Sequence, residues 1–192
     1  TDVASTKAAL CAHAAATWPA PRRFVGSHPM AGSEKWGPEH AHADFYAGSI
    51  CLVEEAPGLD PHAARAVHAL WHAVGARVVP IDPAQHDDLL ARTSHVPHVA
   101  AAALAVVAGR GGDVRHLAGN GLRDTTRIAG GRPELWRDIC LTNRDAVRAG
   151  LHEVRDWLDA FDRALAAGDA ATLERLLEEG AEARARLDTP PA

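Results

Sequence analysis

The sequence changes character at Asp82, and this change constrains the fold more than any other feature. Before it, β-branched runs alternate with helical spacing, so we expect strands over 23–27, 49–54 and 76–81. A helix is expected after the cap pair Asp60 and Pro61. From residue 82 onward the pattern is almost entirely helical. The sequence therefore predicts an α/β segment over 1–81 followed by an all-α segment over 82–192.

Local signals refine this division. Thr1, Asp2 and Ser5 precede an alanine-rich run, which predicts a capped helix up to residue 17. In the second segment we expect a helix reaching about residue 118, a loop over 119–132 and the longest helix opening at Pro133. That helix carries an apolar seam at alternating spacings of four and three residues, which suits either a bundle core or a dimer partner. The seam comprises Val147, Leu151, Val154, Leu158, Phe161 and Leu165.

Composition excludes several function classes. The 192 residues are 47% hydrophobic, enough for a sizeable core, and the net charge of -5 argues against nucleic acid or an anionic membrane as partner. The longest apolar runs fall short of a membrane span, and three widely spaced cysteines form neither a disulfide framework nor a zinc pattern. We expect a cytoplasmic protein. Because the sequence starts at Thr1 and its one methionine is Met30, we also expect it to be part of a longer gene product.

The stretch 24–37, FVGSHPMAGSEKWG, concentrates polar chemistry in a glycine-rich turn. It places His28, Ser33 and Glu34 within seven positions of one another. A histidine held by hydroxyl and carboxylate neighbours can act as an acid, a base or a hydrogen-bond acceptor near neutral pH. A turn whose polar groups only satisfy each other would show the same residues, and the stretch alone leaves both interpretations open.

Two other patterns are weaker. His95 and His98 have the spacing of a metal pair on a helix, but no third ligand stands at a suitable distance in the sequence, so we expect no metal site. The run 109–113, GRGGD, is rich in glycine but follows a helical pattern instead of a strand. The chain therefore contains no convincing phosphate-binding turn of the G-x-G-x-x-G type.

Four blocks, in order, resemble the prephenate dehydrogenase (TyrA) family. They are TDVASTK at 1–7, the stretch 24–37, TSHVPH at 93–98 and LRDTTRIAGGRPELWRDI at 122–139. The resemblance implies the end of a dinucleotide-binding, Rossmann-like sheet followed by a helical dimerisation domain like the C-terminal domain of 6-phosphogluconate dehydrogenase. It also implies NAD or NADP as cofactor, a homodimer, and oxidative decarboxylation of prephenate to 4-hydroxyphenylpyruvate in tyrosine biosynthesis.

The resemblance assigns roles to particular residues. His28 matches the catalytic histidine that accepts a hydrogen bond from the substrate hydroxyl, and Ser5 matches the serine that bonds to this histidine beside the nicotinamide. Arg127 matches the arginine that binds a substrate carboxylate; a structural ion pair with Asp124 is the alternative. The remaining matches line the substrate site, namely Ser33, Glu34, Ser94, His98, Arg123, Asp124 and Trp136, of which Trp136 can equally be a core residue.

Other functions remain open at this point. Arogenate or an amino-deoxy analogue of prephenate would satisfy the same motifs, because they bind carboxylates and ring position. A catalytically silent module that dimerises and binds ligand is the alternative from a different class, since the glycine-rich half of the cofactor site is absent from these 192 residues.

Overall fold

The computed structural model describes residues 1–32, 37–110 and 116–188. Contacts divide the chain into two compact units, Thr1–Val147 and Arg148–Ala192. The first unit contains a three-stranded sheet and most of the helices. The predicted domain boundary between residues 81 and 82 remains a prediction.

The sheet consists of β1 (Ser27–Pro29), β2 (Ile50–Glu54) and β3 (Arg77–Ile81), in that order. β1 runs antiparallel to β2, with His28 opposite Leu52, whereas β3 runs parallel to β2. The strands expected at 49–54 and 76–81 are confirmed. The strand expected over 23–27 is wrong in position, because pairing with β2 begins only at Ser27 and extends through Pro29.

The parallel strands β2 and β3 are joined by helix α2 (Pro61–Ala73), which supplies the core of the first unit. Asp60 caps α2 as predicted, accepting hydrogen bonds from the His62 and Ala63 amides at 2.7 and 3.3 Å. Val67 and Trp71, four residues apart on one helix face, pack in a buried cluster with Cys51 and Val53 of β2.

Helix α1 (Ala8–Thr17) precedes the sheet and begins later than the sequence suggests. The expected local cap from Thr1, Asp2 or Ser5 is wrong: the residue at the cap position is Lys7, whose side chain makes no capping bond. The carboxylate of Asp87, from a distant helix, takes this role instead, accepting the Lys7 and Ala8 amides. A tertiary contact thus replaces the local signal.

The helical part of the first unit starts with α3 (Pro83–Leu90), capped by Asp82. It passes through a π-turn at Ala91–His95 directly into α4 (Val96–Gly109). Pro97 does not interrupt this path because it stands in the first turn of α4, where the missing amide proton costs little.

Two predictions about the next helices are wrong. The expected loop over 119–132 contains α5 (Asn120–Thr126) and a 3₁₀ turn at Arg127–Gly130 that packs on α4. The expected long helix from Pro133 is two helices, α6 (Pro133–Thr142) and α7 (Arg144–Ala167), which meet at Asn143. The helix expected to reach residue 118 falls partly outside the described residues, and the part at 116–118 is not helical.

The second unit, from Arg148, contains the rest of α7 and the helix α8 (Ala170–Asp188), joined through Gly168 at φ +63°. Ala164 and Leu176 are its buried apolar positions within the described range. Leu158 and Leu165 of the predicted seam are 62% and 64% exposed in the single chain. Across all the described residues, no helix is both long and apolar enough to cross a membrane.

Candidate active site

His28 stands in the middle of β1, where strand pairing fixes its backbone and leaves its side chain only 9% exposed. Its Nδ1 lies 2.9 Å from Nε2 of His86, a residue of α3 with no exposed surface. Burial, followed by electrostatic interactions with His86, Lys7 and His95, lowers the pKa of His28 from 6.5 to about 4. The ring is therefore neutral at neutral pH and has a lone pair to offer.

His86 in turn forms a hydrogen bond with a carboxylate. Its Nδ1 lies 2.8 Å from Oδ1 of Asp87, and the same carboxylate accepts the backbone amides of Lys7 at 2.7 Å and Ala8 at 2.9 Å. Burial raises the pKa of Asp87, but the bonds from His86, Lys7 and Ala8 outweigh it and hold that pKa below its usual value. An ionised Asp87 also lies at the positive N-terminal end of α1.

The first turn of the chain closes this network from the other side. Lys7, only 1% exposed, forms an ion pair with Asp2 through Nζ. Asp2 in turn accepts the amide of Ser27, the residue before His28, at 2.8 Å. The block 1–7 therefore positions both α1 and β1 around the histidine.

Ser5 does not make the hydrogen bond predicted for it. Among the described residues, the hydrogen bond of the His28 ring goes to His86, and no bond to Ser5 is present. Ser5 is half-buried two residues before Lys7, in the segment that borders the network. Its predicted catalytic and cofactor-binding roles stay predictions.

A second cluster surrounds Trp136 in α6. Its indole stacks on the imidazole of His98, with ring centroids 3.5 Å apart and planes 12° from parallel. The indole and the His95 ring are T-shaped, with centroids 6.3 Å apart and planes at 77°. Nδ1 of His98 is buried and, among the described residues, has no hydrogen-bond partner. A buried ring nitrogen without a partner costs free energy unless a ligand supplies one.

His95 links the two clusters. It is 1% exposed, lies 3.2 Å from the amide nitrogen of Asn143 through Nδ1, and has its pKa lowered to about 4, chiefly by burial. The Asn143 amide also donates to the backbone carbonyl of Asp87 at 2.7 Å. The His28–His86 pair is thus connected through Asp87 and Asn143 to His95, whose ring meets the half-buried Trp136.

The other predicted site residues lie at the margin of this region or beyond it. Arg127 opens the 3₁₀ turn that packs on α4, the helix of His98, and its side chain is exposed, as are those of Arg123 and Asp124. Ser94 is half-buried in the π-turn. Ser33 and Glu34 lie outside the described residues.

Sequence reasoning missed His86, Asp87 and Asn143. The adjacent pair His86-Asp87 in a helix opened by Asp82-Pro83 was the available signal, since both residues are suited to proton chemistry. Their inward orientation could not be read from the sequence, because His86 stands 58 positions after His28 and the other two residues lie farther still.

No metal centre accompanies these histidines in the described parts of the chain, where no group of three or more His, Cys, Asp or Glu side chains could hold an ion. His95 and His98, the pair with metal-like spacing, instead contact Asn143 and Trp136.

Two family models match successive parts of the chain. Residues 1–80 match the family model described as the nucleotide-binding domain of prephenate dehydrogenase, and residues 82–179 match the model described as its dimerization domain. The chain therefore combines a domain of a nucleotide-binding type with a domain of a dimerization type. The chain belongs to the prephenate dehydrogenase family.

Individual relatives agree with this assignment. The chain is 33% identical over 167 residues to a prephenate dehydrogenase of Bacillus subtilis, covering 85% of this chain and 44% of the relative. It is 34% identical over 172 residues to a cyclohexadienyl dehydrogenase of Zymomonas mobilis, covering 86% and 58%. The chain thus spans about half the length of the curated relatives it matches.

Solved structures share the fold. A putative prephenate dehydrogenase from Corynebacterium glutamicum matches with a TM-score of 0.89 at 32% identity, covering 97% of this chain and 61% of the other. An arogenate dehydrogenase from Synechocystis matches with a TM-score of 0.81 at 30% identity, covering 97% and 68%. A prephenate dehydrogenase from A. aeolicus, solved with hydroxyphenyl propionate and NAD+, matches with a TM-score of 0.77 at 30% identity, covering 86% and 59%.

Proposed function

We propose that the gene product carrying this chain oxidises and decarboxylates prephenate to 4-hydroxyphenylpyruvate with NAD or NADP. The observation that carries this proposal is His28, a buried neutral imidazole in a family of dehydrogenases that act on cyclohexadienyl substrates. His28 accepts the proton of the substrate hydroxyl, while the carbon that carries this hydroxyl loses a hydride. The ring then loses carbon dioxide and becomes aromatic, which supplies much of the driving force.

The nicotinamide cofactor supplies the hydride acceptor in this reaction. The sequence contains no G-x-G-x-x-G run of the kind that holds a pyrophosphate, and residues 1–80 match the nucleotide-binding model. In this proposal, residues of this chain accept the hydroxyl proton and bind the substrate carboxylates, and Ser5 lies beside the nicotinamide.

The substrate carboxylates need cations and hydrogen-bond donors. Arg127, exposed at the turn that packs on α4, is the proposed ligand for one carboxylate, because a planar guanidinium can bind two oxygens at once. The unpartnered Nδ1 of His98 supports a ligand contact next to Trp136. Ser94, Arg123, Asp124, Ser33 and Glu34 complete the proposed substrate site.

Side-by-side turnover of prephenate and arogenate by the intact gene product, each with NAD and with NADP, tests this function. We expect prephenate to be the better substrate by kcat/KM. Faster turnover of arogenate would mean that arogenate is the substrate instead of prephenate, within the same enzyme class. The related structures include both an arogenate dehydrogenase and a prephenate dehydrogenase. Prephenate binding without any nicotinamide reduction would favour the silent binding module instead.

Arg127→Ala tests the carboxylate contact. We expect KM for prephenate to rise at least about tenfold with a smaller change in kcat, the result of losing binding made equally in the ground and transition states. Arg155→Ala, which removes an exposed arginine from the second unit, is the matched control and should change KM by less than about twofold. An unchanged KM for Arg127→Ala would remove this residue from the site.

A further inference from the structure

The hydrogen-bond chain from Asp87 through His86 to His28 determines which nitrogen of His28 faces the substrate. Asp87 accepts three bonds, from the Lys7 and Ala8 amides and from His86. An ionised carboxylate can only accept, so Nδ1 of His86 must be the donor in the 2.8 Å contact.

The same reasoning applies to the second contact. When His86 carries a single proton, on Nδ1, its Nε2 has only a lone pair, which lies 2.9 Å from Nδ1 of His28. His28 must then carry its proton on Nδ1. Its Nε2 is left with the lone pair and, within the described residues, has no hydrogen-bond partner from the protein.

We propose that His86 and Asp87 are positioning residues that hold His28 in the Nδ1–H tautomer, so that Nε2 is the atom that accepts the substrate hydroxyl proton. This inference rests on the proposed function for its catalytic consequence, but the tautomer itself is a property of the free protein. When Nε2 takes up the proton, the imidazolium formed faces His86 and, beyond it, the Asp87 carboxylate.

Other charges around His28 do not replace this arrangement. Lys7 opposes a positive charge on the ring, but its ammonium is paired with Asp2. His95 is neutral with its pKa near 4 and has Asn143 as its partner. Of the titratable side chains that interact electrostatically with the His28 ring, His86 is the one within hydrogen-bond distance of that ring in the described structure.

Asp87→Asn gives the sharpest test, with Asp88→Asn as its control on the exposed side of the same helix. Oδ1 of Asp87 accepts the Lys7 amide and His86 Nδ1–H, whereas Oδ2 accepts the Ala8 amide. An asparagine whose carbonyl oxygen keeps the Ala8 contact would present its amide N–H toward His86 Nδ1. His86 would then donate from Nε2, and His28 would shift to the Nε2–H tautomer. The lone pair would be lost from the face that meets the substrate.

Two readouts separate this role from a structural one. Histidine ring ¹⁵N spectra of the intact gene product, with the His28 signals identified by their loss in His28→Asn, report the tautomer without any turnover. We expect Nδ1–H in the wild type and in Asp88→Asn, and Nε2–H in Asp87→Asn. With prephenate, we expect kcat of Asp87→Asn to fall at least about a hundredfold, with KM within about threefold, as for the loss of a general base.

Because Asp87 also caps α1, His86→Gln provides a second variant that leaves the cap intact. We expect it to lose the single Nδ1–H form of His28 and to lower kcat at least about tenfold. An Nε2–H signal for His28 in the wild type, or an unchanged His28 tautomer in both variants, would overturn the proposal. Absence of turnover in the wild type would defeat the proposed function alone, since the spectra would still decide the tautomer.

Discussion

At the residue scale, Gly131 shows how closely the ring cluster is packed. A Cβ added there would lie 2.4 Å from Nε1 of Trp136 and 3.1 Å from Cε1 of His98. Both distances are too short for ordinary contact, so a side chain at this position must displace the indole from its stack. The family motif quoted from the sequence contains this glycine, but only the structure shows which rings need it.

Gly131→Ala should therefore shift the Trp136 ring and destabilise the protein by about 1–3 kcal/mol, the range for overpacking a filled site. Gly130→Ala is the control, because a Cβ at that glycine meets nothing within 4 Å. Urea unfolding and tryptophan fluorescence measure the two effects. An equal free energy of unfolding for the two variants would mean that the Trp136 ring can move away from His98 without loss of stability.

The candidate catalytic histidine could be predicted at this scale, whereas its supporting residues could not. His28 stands in a glycine-rich motif that marks it in the sequence. His86 and Asp87 lie in an ordinary amphipathic helix, and their function comes from tertiary packing against β1 and α1. The expected partner Ser5 is near in sequence to the network but makes no bond to His28 in the described structure.

At the element scale, Asn143 determines where one predicted helix becomes two. Its side-chain amide donates to the Asp87 carbonyl at 2.7 Å and contacts His95 at 3.2 Å, so the chain turns inward between α6 and α7. The apolar spacing on either side is helical throughout, which is why periodicity alone predicted a single helix. A buried amide with distant partners leaves no periodic signal.

Asn143→Ala should cost about 1–3 kcal/mol in the free energy of unfolding, because it removes one of the donors to the Asp87 carbonyl and leaves the buried Nδ1 of His95 without its partner. Asn120→Ala, at an exposed position in α5, should change this free energy by less than about 0.5 kcal/mol. Chemical denaturation of both variants checks the difference. A loss of equal size in the two would show that Asn143 makes no special contribution.

At the scale of the whole molecule, burial of neutral histidines makes stability depend on pH. The pKa values of His28 and His95 fall from 6.5 to about 4 on folding, so between these values the unfolded chain binds more protons than the folded one. Their contribution is fully present above about pH 6.5 and is lost as the pH falls to about 4. The lowered pKa of Asp87 acts in the same direction.

We expect unfolding free energy to drop by up to about 3 kcal/mol per histidine across this window, at about 1.4 kcal/mol for each pKa unit. His28→Asn should reduce the slope, and His62→Asn, at an exposed position of α2, should leave it unchanged. Denaturation at several pH values between 4 and 7 measures the slope. A flat profile in the wild type would contradict the buried neutral histidines.

The exposed seam of the second unit supports the proposed homodimer through the helical domain. Leu158 and Leu165 are largely exposed in the single chain, and residues 82–179 match a model described as a dimerization domain. The spacing predicted the seam, but it could not distinguish a partner chain from a bundle core. Leu158→Gln should weaken self-association by sedimentation, whereas the exposed Arg163→Gln on the same helix should not. Equal self-association of both variants would show that Leu158 is not part of the dimer interface.

The central claim is that His28 accepts the substrate proton, and the pH dependence of kcat/KM for prephenate oxidation by the intact gene product tests it most directly. The account predicts an acid limb below pH 6.5, because the pKa of His28 lies well under the ordinary histidine value. It also predicts that His28→Asn lowers kcat at least about a hundredfold and removes that limb. Turnover of His28→Asn near the wild-type rate, with the acid limb retained, would contradict the claim.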